Sequence, residues 1–460
     1  MRIRATLLAL AVVACSGVNG TATTDTVPIG TTSPSMPSTT TTTLDEPIPV
    51  VIDDCEAPQV GFSPLCEAYQ LIEEWHMDRP IDPAVLADAA LSGLTAFETD
   101  ATETPPRTLI CAIPDVAFTA LCDELAAQIT ESSVPVVDAM EAALVAMGDT
   151  GLEPFSYYVP PELVGSFRAN GVVGGVGVLL DAADAAGSRC VRIAPTCPLE
   201  IIFVLEDNPG SNAGLEPGDR IVGVDGASVD GLGFVDVATR IAGDESGVVT
   251  LEIERDGRRS RLEIRREPLT VPTVEVEVPS PGVGYIRIPD FEEDIGGLVR
   301  QGLTSLLDSP IERLVVDLRD NPGGYVASAI DVASEFIDDG VVVRTVGPGE
   351  DFDYEAEPGG LASDVPVKVL VNGGTASAAE ILALALRDRR DAQVIGEATY
   401  GKNAAQIAFE LRNGGEFNVA VARWLSPNGA TVAGTGIIPD FVTPLPASMP
   451  IEDLARLAYP

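Results

Sequence analysis

The sequence predicts a multidomain α+β protein in which a helical N-terminal region is followed by a β-rich domain and then by an α/β domain. Three observations predict this order. Apolar residues recur at helical spacing across residues 53–165, short strands and glycine-rich turns fill residues 166–268, and strand and helix patterns alternate across residues 269–460. The 460 residues, 45% of them hydrophobic, are enough to bury two or three cores.

Residues 1–15 have the features of an export signal. Two arginines precede an apolar stretch that is too short to span a bilayer. The stretch ends in Val-Val-Ala-Cys at Cys15, which resembles the bacterial lipobox, in which the cysteine is lipidated. We therefore expect an exported protein of the bacterial cell envelope, anchored through Cys15 to the outer face of the cytoplasmic membrane. The alternative is an ordinary cleaved signal, which would release a soluble product.

Residues 16–52 are rich in threonine, serine and proline. Such a composition cannot bury enough apolar surface to fold on its own. We expect this segment to be a tether that holds the folded part away from the membrane.

Six cysteines besides Cys15 occur as three pairs of near neighbours in the sequence. An exported chain meets an oxidising compartment, so local disulfides are the simplest hypothesis, although six cysteines allow fifteen pairings. The expected pairs are Cys55 with Cys66, Cys111 with Cys122, and Cys190 with Cys197.

The sequence argues against a metal site and against nucleic acid as a partner. No Cys-x-x-Cys pattern occurs and the only histidine is His76, so no metal ligand set and no other cofactor is expected. A lone histidine beside Trp75 in a helical pattern is more often structural than chemical. The formal net charge of −42 opposes phosphate binding, which needs clustered lysine and arginine.

The β-rich region contains a glycine-rich turn. Two further glycine-containing segments, residues 209–221 and 224–226, follow it. These segments resemble a PDZ domain of the circularly permuted bacterial kind, a β-sandwich or partial barrel. The resemblance implies that a peptide is added as a strand and that backbone N–H groups hold its C-terminal carboxylate. The alternative is a plain sandwich strand with a glycine-rich turn. The expected carboxylate loop consists of Gly175, Val176, Gly177 and Val178.

Ser377 follows a predicted strand and a glycine-containing turn, at the start of a predicted helix. At a helix N-terminus, unpaired N–H groups and the helix dipole can stabilise a developing oxyanion, which suits a nucleophile. Ser377 and Glu380 also fit the Ser-x-x-Glu capping box, which needs no catalysis. The segment alone leaves both interpretations open.

Lys402 is a candidate general base for Ser377, because the only histidine lies far upstream in a helical pattern. Of the 28 basic residues only two are lysine, and Lys402 follows a glycine at the start of a strand pattern. Burial can neutralise a lysine but not an arginine, so lysine suits proton transfer. The alternative is a solvated strand lysine.

Ser377, Lys402 and Gln406 together resemble the Ser, Lys and Gln of the C-terminal processing peptidases, also called tail-specific proteases. The resemblance covers about residues 152–440 and includes the segments 317–324, 424–429 and 436–440. It implies a ClpP/crotonase-like protease core with Ser377 as nucleophile, Lys402 as general base and Gln406 orienting Lys402. It also implies oxyanion donors at the backbone of Gly324 and Ala378. Asp317 and Arg319 are expected to be structural.

The function expected from this resemblance is that of a serine endopeptidase that forms an acyl-enzyme. Its substrates would be exported proteins whose exposed C-terminal tails enter the PDZ-like groove, with an adaptor as a possible further partner. The first alternative is a catalytically inactive envelope protein that only binds peptide tails. The second is a structural or ligand-carrying envelope protein that uses the same fold.

Overall fold

The structure is a computed structural model that describes residues 48–49, 63–94, 136–152, 155–161, 164, 174–182, 192–205, 208–242, 247–269, 273–446 and 449–460. Cys15, Cys55, Cys111, Cys122 and Cys190 lie outside these residues, as does the predicted signal. Within them, no helix has the length and apolar character needed to cross a membrane. The predicted α+β class, with a PDZ-like domain followed by an α/β core, is confirmed.

Among the described residues, three helices precede the PDZ-like domain, and they pack on a sheet of the C-terminal part. Their apolar faces share one core with the buried residues Phe409, Phe417 and Val419 of that sheet. The short strand β2, Tyr157–Val159, pairs antiparallel with the same sheet. The helices are α1 (Ser63–Trp75), α2 (Pro83–Leu94) and α3 (Val136–Gly151).

The PDZ-like domain is an antiparallel sheet covered by a helix. The sheet order is β4-β5-β6-β8-β9, with β7 beside β6, while β3 pairs with β10. Apolar residues that alternate along the strands meet Val237 and Ile241 of the helix in one core. The strands are β3 (Gly174–Gly175), β4 (Val178–Ala182), β5 (Leu199–Val204), β6 (Arg220–Val224), β7 (Ala227–Ser228), β8 (Val248–Arg255), β9 (Arg258–Arg265) and β10 (Glu267–Pro268), and the helices are α4 (Pro209–Asn212) and α5 (Phe234–Ala242).

The α/β core is built on a mostly parallel sheet with the order β11-β12-β13-β16-β17-β20. Its central strands are continuous apolar runs because both faces are covered, one by three helices and the other by the C-terminal helix. The strands are β11 (Glu275–Ser280), β12 (Val283–Arg287), β13 (Arg313–Asp317), β16 (Val367–Val371), β17 (Gln393–Gly396) and β20 (Phe441–Val442), and the helices are α6 (Ile295–Leu307), α7 (Val326–Ser334), α8 (Ala378–Arg390) and α9 (Ile451–Ala458).

A second sheet lies beside this core and has the order β1-β18-β19-β14-β15, with β2 also paired to β19. Two residues from the predicted tether, Ile48 and Pro49, form β1 and pair in parallel with Phe409 and Glu410 of β18. The strands are β1 (Ile48–Pro49), β14 (Val341–Val346), β15 (Phe352–Glu355), β18 (Ala404–Glu410) and β19 (Glu416–Leu425).

The parallel strands of the core sheet end at one common edge, and this edge positions the site. The loop after β13 contains Gly323 and Gly324, and the turn after β16 leads to Ser377 at the start of α8. Because β13 and β16 are direct neighbours in the sheet, these two segments meet.

Candidate active site

Ser377 begins helix α8 with a backbone conformation that is rare for a residue other than glycine, φ 52° and ψ −117°. The turn before it is fixed by the hydroxyl of Thr375, which donates to the carbonyl oxygen of Leu318 at 2.7 Å and accepts the N–H of Asn372 at 3.0 Å. Such strained conformations persist where the surroundings determine them, and they cluster at reactive sites. The geometry therefore presents Ser377 at a helix N-terminus, as the sequence predicted.

The loop after β13 is locked by Asn321, which is completely buried. Its side-chain amide donates to the carbonyl oxygen of Ile288 and accepts the N–H of Gly323, both at 2.8 Å. Its backbone carbonyl oxygen accepts the N–H of Ala376 at 2.9 Å. Asn321 thus ties this loop both to the neighbouring strand and to the turn that carries the serine.

Gly323 lies against the start of α8, Gly324 lies against Phe291, and neither leaves room for a side chain. A Cβ atom on Gly323 would be 2.8 Å from the Cβ of Ser377 and 3.0 Å from the backbone nitrogen of Ala378. Gly324 has φ +144°, and a Cβ there would be 2.5 Å from the carbonyl oxygen of Phe291. The two predicted oxyanion donors are the backbone N–H groups of Gly324 and Ala378. The loop that contains Gly324 and the start of α8 that contains Ala378 therefore contact each other.

Glu380 joins the segment of the predicted nucleophile to that of the predicted base. Its carboxylate is completely buried and accepts the N–H of Ser377 at 2.9 Å, of Gly401 at 2.9 Å and of Lys402 at 3.0 Å, and it also accepts the hydroxyl of Thr399. The N–H groups of Ser377 and Lys402 bind the same oxygen, Oε2. The two backbones are therefore held side by side.

Burial sets the protonation behaviour of the carboxyl groups at this edge of the sheet. It raises the pKa of Glu380, and the hydrogen bonds from the four donors oppose that rise. Burial also raises the pKa of Asp290 and of Glu292, which lie on either side of Phe291.

Sequence analysis considered Glu380 only as one half of a capping box. The structure confirms a bond from the N–H of Ser377 to Glu380, so the capping contact and the proximity to Lys402 coexist. The sequence did contain one indication that Glu380 has further partners. Glu380 is the only charged residue among the buried alanine, isoleucine and leucine residues at the start of α8. Completely buried carboxylates need several hydrogen-bond donors.

Replacing Glu380 by glutamine is expected to lower the free energy of unfolding by about 1–3 kcal/mol. The amide nitrogen would face N–H and hydroxyl donors in place of one carboxylate oxygen, which leaves buried polar groups unpaired. Chemical denaturation of Glu380→Gln and of Glu397→Gln, an exposed carboxylate in a nearby loop, provides the comparison. Equal stability of the two variants would contradict this role of Glu380.

Lys402 is half-buried and lies just before β18. Its backbone N–H and carbonyl groups are both hydrogen-bonded. Its N–H donates to Glu380, and its carbonyl oxygen accepts the indole N–H of the buried Trp424 at 3.0 Å. Gln406 lies farther along β18 and donates its side-chain amide to the carbonyl oxygen of Phe155. Its expected role in orienting Lys402 stays a prediction.

The segment around Phe155 is anchored on the second sheet. The hydroxyl of Ser156, which is 1% exposed, accepts the N–H of Ala420 at 2.9 Å. The N-terminal helical region thus reaches the strand of Gln406 through this segment, a contact that sequence reasoning missed.

Asp317 and Arg319 form a buried ion pair next to the site. Asp317 is completely buried, and its carboxylate accepts hydrogen bonds from the Arg319 guanidinium, the closest at 2.7 Å, and from the Tyr285 hydroxyl at 2.8 Å. Burial and the Asp317 charge raise the pKa of Tyr285. Arg319 also donates to the carbonyl oxygens of Leu445 and Pro446, so the pair holds the chain that leads to α9.

The predicted carboxylate loop forms the connection between β3 and β4. The carbonyl oxygen of Val176 accepts the N–H of Gly210 at 2.6 Å, and that of Gly177 accepts the N–H of Leu205 at 2.8 Å. Gly177 has φ +73°. Within the described part of the domain, β4 pairs only with β5, and α5 lies beside it. Gly175 and Val178 bound the loop within β3, which pairs with β10, and β4, whose other edge is unpaired within the described residues.

His76 is 1% exposed at the end of α1, and its Nδ1 accepts the N–H of Asp78 at 3.1 Å. This burial fits the structural role expected for it. In the described ranges, no group of three or more His, Cys, Asp and Glu side chains is arranged to hold a metal ion.

Comparison with known proteins adds independent findings. The sequence profile of Peptidase family S41 matches residues 282–443, and a PDZ domain profile matches residues 204–255. The photosystem II D1 C-terminal processing protease, a solved structure, superposes with a TM-score of 0.61 at 24% identity and covers 89% of this chain and 98% of that chain. This similarity shows a shared fold.

Two curated relatives are named as carboxyl-terminal-processing enzymes. The carboxyl-terminal-processing peptidase 2 of Arabidopsis thaliana, a chloroplastic protein, is 34% identical over 316 residues. The match covers 66% of this chain and 60% of that protein, so this chain spans less than two thirds of the relative's length. The carboxyl-terminal-processing protease of Synechocystis sp. is 34% identical over 320 residues, or 67% of this chain and 71% of that protein. With the S41 profile lying over Ser377, Lys402 and the loop of Gly324, the chain belongs to the S41 peptidase family, among the carboxyl-terminal-processing proteases.

Proposed function

We propose that this protein is a serine endopeptidase that cleaves exported proteins after recognising their C-terminal tails. The observation that carries the proposal is the joining of Ser377 and Lys402 through one oxygen of Glu380, beside the loop of Gly324. Lys402 would receive the proton of the Ser377 hydroxyl as its oxygen attacks the scissile carbonyl carbon. The N–H groups of Gly324 and Ala378 would stabilise the oxyanion.

Collapse of the tetrahedral intermediate would break the peptide bond, and the proton on Lys402 would pass to the leaving amine. Water would then hydrolyse the acyl-enzyme on Ser377, with Lys402 again accepting a proton. The reaction needs proton transfer and oxyanion stabilisation, which Lys402 and the backbone N–H groups of Gly324 and Ala378 would supply.

The PDZ-like domain supports tail recognition. Its loop of residues 175–178 adjoins β4, whose outer edge is open within the described residues. An extended peptide can add to such an edge, and a C-terminal carboxylate can then be held by loop N–H groups. An adaptor that delivers substrates is compatible with this arrangement.

The test compares cleavage of one unfolded protein with a free C-terminal carboxylate and with an amidated C-terminus. The wild type is expected to cleave the free form faster, and Ser377→Ala to cleave neither. Ser309→Ala, which removes a serine elsewhere in the same domain, is the matched control. Cleavage by Ser377→Ala at the wild-type rate would overturn the proposal. Tail binding without any cleavage by the wild type would favour the inactive peptide-binding protein instead.

We also propose export to the bacterial cell envelope with lipidation of Cys15, on the basis of the lipobox-like sequence. We propose that the local disulfides form there as well, because an exported chain meets an oxidising compartment. Cys66 and Cys197 are each 3% exposed and disulfide-bonded, which supports the pairs Cys55–Cys66 and Cys190–Cys197. Mass spectrometry of the intact protein and of a non-reduced digest tests both points, since an unmodified Cys15 or cross-linked peptides between distant cysteines would contradict them.

A further inference from the structure

Three large apolar side chains are exposed at the edge of the core sheet that carries Ser377. Tyr400 is 44% exposed, Phe441 is 54% exposed and Val442 is 74% exposed. Single exposed apolar residues are common on protein surfaces, whereas several of them together mark a binding surface. The positions of these three residues relative to Ser377 distinguish the two cases.

The strand order places Phe441 and Val442 close to the nucleophile. Strands β16, β17 and β20 are successive parallel neighbours in the core sheet. Ser377 follows β16, and Val442 pairs with Gly396, the last residue of β17. Because parallel strands end at a common edge, Val442 lies at the edge of Ser377, two strand spacings or about 10 Å away from β16. An extended peptide covers that distance with about three residues.

Tyr400 comes from the strand between these two positions. It lies in the loop after β17, and its N–H donates to the carbonyl oxygen of Thr375 at 3.0 Å, two residues before Ser377. The same loop continues to Lys402. Along this edge of the sheet the order is therefore Ser377, then Tyr400, then the residues of β20.

Strand β20 is fixed to β17 on both sides of its exposed residues. Before them, the N–H of Asp440 donates to the carbonyl oxygen of Val394, and its carboxylate accepts the N–H of Val394, both at 2.8 Å. After them, the N–H of Thr443 donates to the carbonyl oxygen of Gly396 at 2.9 Å. Among the described residues, no strand pairs with the outer edge of β20. An extended peptide can therefore approach a fixed apolar surface there.

We propose that Tyr400, Phe441 and Val442 form an apolar strip that binds an apolar segment of the unfolded substrate beside the scissile bond. The occupant is an extended chain, because one stretch of it has to reach both Ser377 and β20. Burial of an apolar substrate side chain on the strip removes apolar surface of both partners from water. The proposal rests on the proposed function and adds a surface that selects the place of cleavage, separate from the PDZ-like groove.

The experiment maps the cleavage sites in one unfolded protein with a free C-terminus by mass spectrometry. In the wild type, apolar residues are expected to be enriched about two to four positions from the cut, on one side of it. Replacing Phe441 by serine together with Val442 by threonine is expected to remove this enrichment. The same double variant is expected to lower kcat/KM about tenfold, the lower end of the discrimination that an apolar pocket supplies.

A matched control changes exposed residues of the same types elsewhere. Phe352 is 57% exposed on β15 of the second sheet, and Val278 is 42% exposed on β11, the opposite edge of the core sheet. Phe352→Ser with Val278→Thr is expected to keep the wild-type cleavage sites and kcat/KM. Phe441→Leu keeps an apolar side chain on the strip and is expected to retain the enrichment. A thermal unfolding midpoint for each variant identifies loss of folding.

The outcomes that overturn the inference differ from those that overturn the proposed function. Unchanged cleavage sites and kcat/KM in the folded Phe441→Ser, Val442→Thr variant, or an equal loss in the control, reject the apolar strip. Binding of the amidated unfolded protein is also measured in the Ser377→Ala background, where the strip substitutions are expected to weaken the affinity and the control substitutions are not. A wild type that cleaves no substrate rejects the proposed function alone, and the binding comparison still decides whether the strip holds an unfolded chain.

Discussion

Replacing Lys402 by methionine is expected to lower kcat by a factor of about 10³. The side chain would no longer accept the proton of the Ser377 hydroxyl. The backbone contacts of Lys402, to Glu380 and to the Trp424 indole, do not involve its side chain, so the fold is expected to persist. Steady-state cleavage of the free-tail protein, together with a thermal unfolding scan, measures both quantities.

Two further variants show whether Lys402 is needed as a base or as a cation. Lys402→Arg keeps a positive charge but cannot be neutralised, so it is expected to be as inactive as Lys402→Met. Lys368 is the only other lysine and lies at the start of β16, with its Nζ 4.9 Å from the centre of the Tyr459 ring. Lys368→Met is expected to keep the wild-type rate. Full activity of Lys402→Arg would show that a cation suffices.

Replacing Arg319 by methionine is expected to lower the free energy of unfolding by about 3–5 kcal/mol. Asp317 is completely buried, so removal of its partner would leave an uncompensated charge in the core. The contacts from Arg319 to the carbonyl oxygens of Leu445 and Pro446 would be lost as well. Chemical denaturation of the purified variant measures the change.

Comparison variants isolate the effect of the buried charge. Arg319→Met combined with Asp317→Leu is expected to recover much of the loss, because an apolar pair of similar volume needs no charge compensation. Arg220→Met removes an ion pair in which the Arg220 side chain is 50% exposed and Glu200 is 38% exposed, and it is expected to cost less than about 1 kcal/mol. If Arg319→Met were as mild as Arg220→Met, the pair would not contribute as described.

The parts of the site that sequence could predict are those with local signals. Strand, glycine turn and helix around Ser377 follow one another within a short stretch, so their order already indicates an exposed serine at a helix start. The neighbouring loop with Gly324 was expected at the site only because the resemblance to the peptidase family implies an oxyanion donor there. The structure confirms the strand, turn and helix and brings the two segments together.

The parts that sequence could not predict depend on contacts between distant segments. Gln406 donates to Phe155, which lies 251 residues away, and no periodicity or turn signal records such a pairing. The pairing of β2 with β19 is likewise set by the tertiary packing of the N-terminal helices. The capping box alone explains a glutamate at position 380. Its hydrogen bonds to the N–H groups of Gly401 and Lys402 depend on the position of the segment before β18, which the sequence does not indicate.

The core shared by α1 to α3 with β18 and β19 has a consequence for how this protein can be divided. The S41 family profile matches residues 282–443, yet Phe409, Phe417 and Val419 within that span are covered by side chains from well outside it. An excised fragment of residues 282–443 would expose this apolar surface to water and aggregate. The segment that matches the family is therefore smaller than the unit of folding, and a fragment that folds has to include the N-terminal helices.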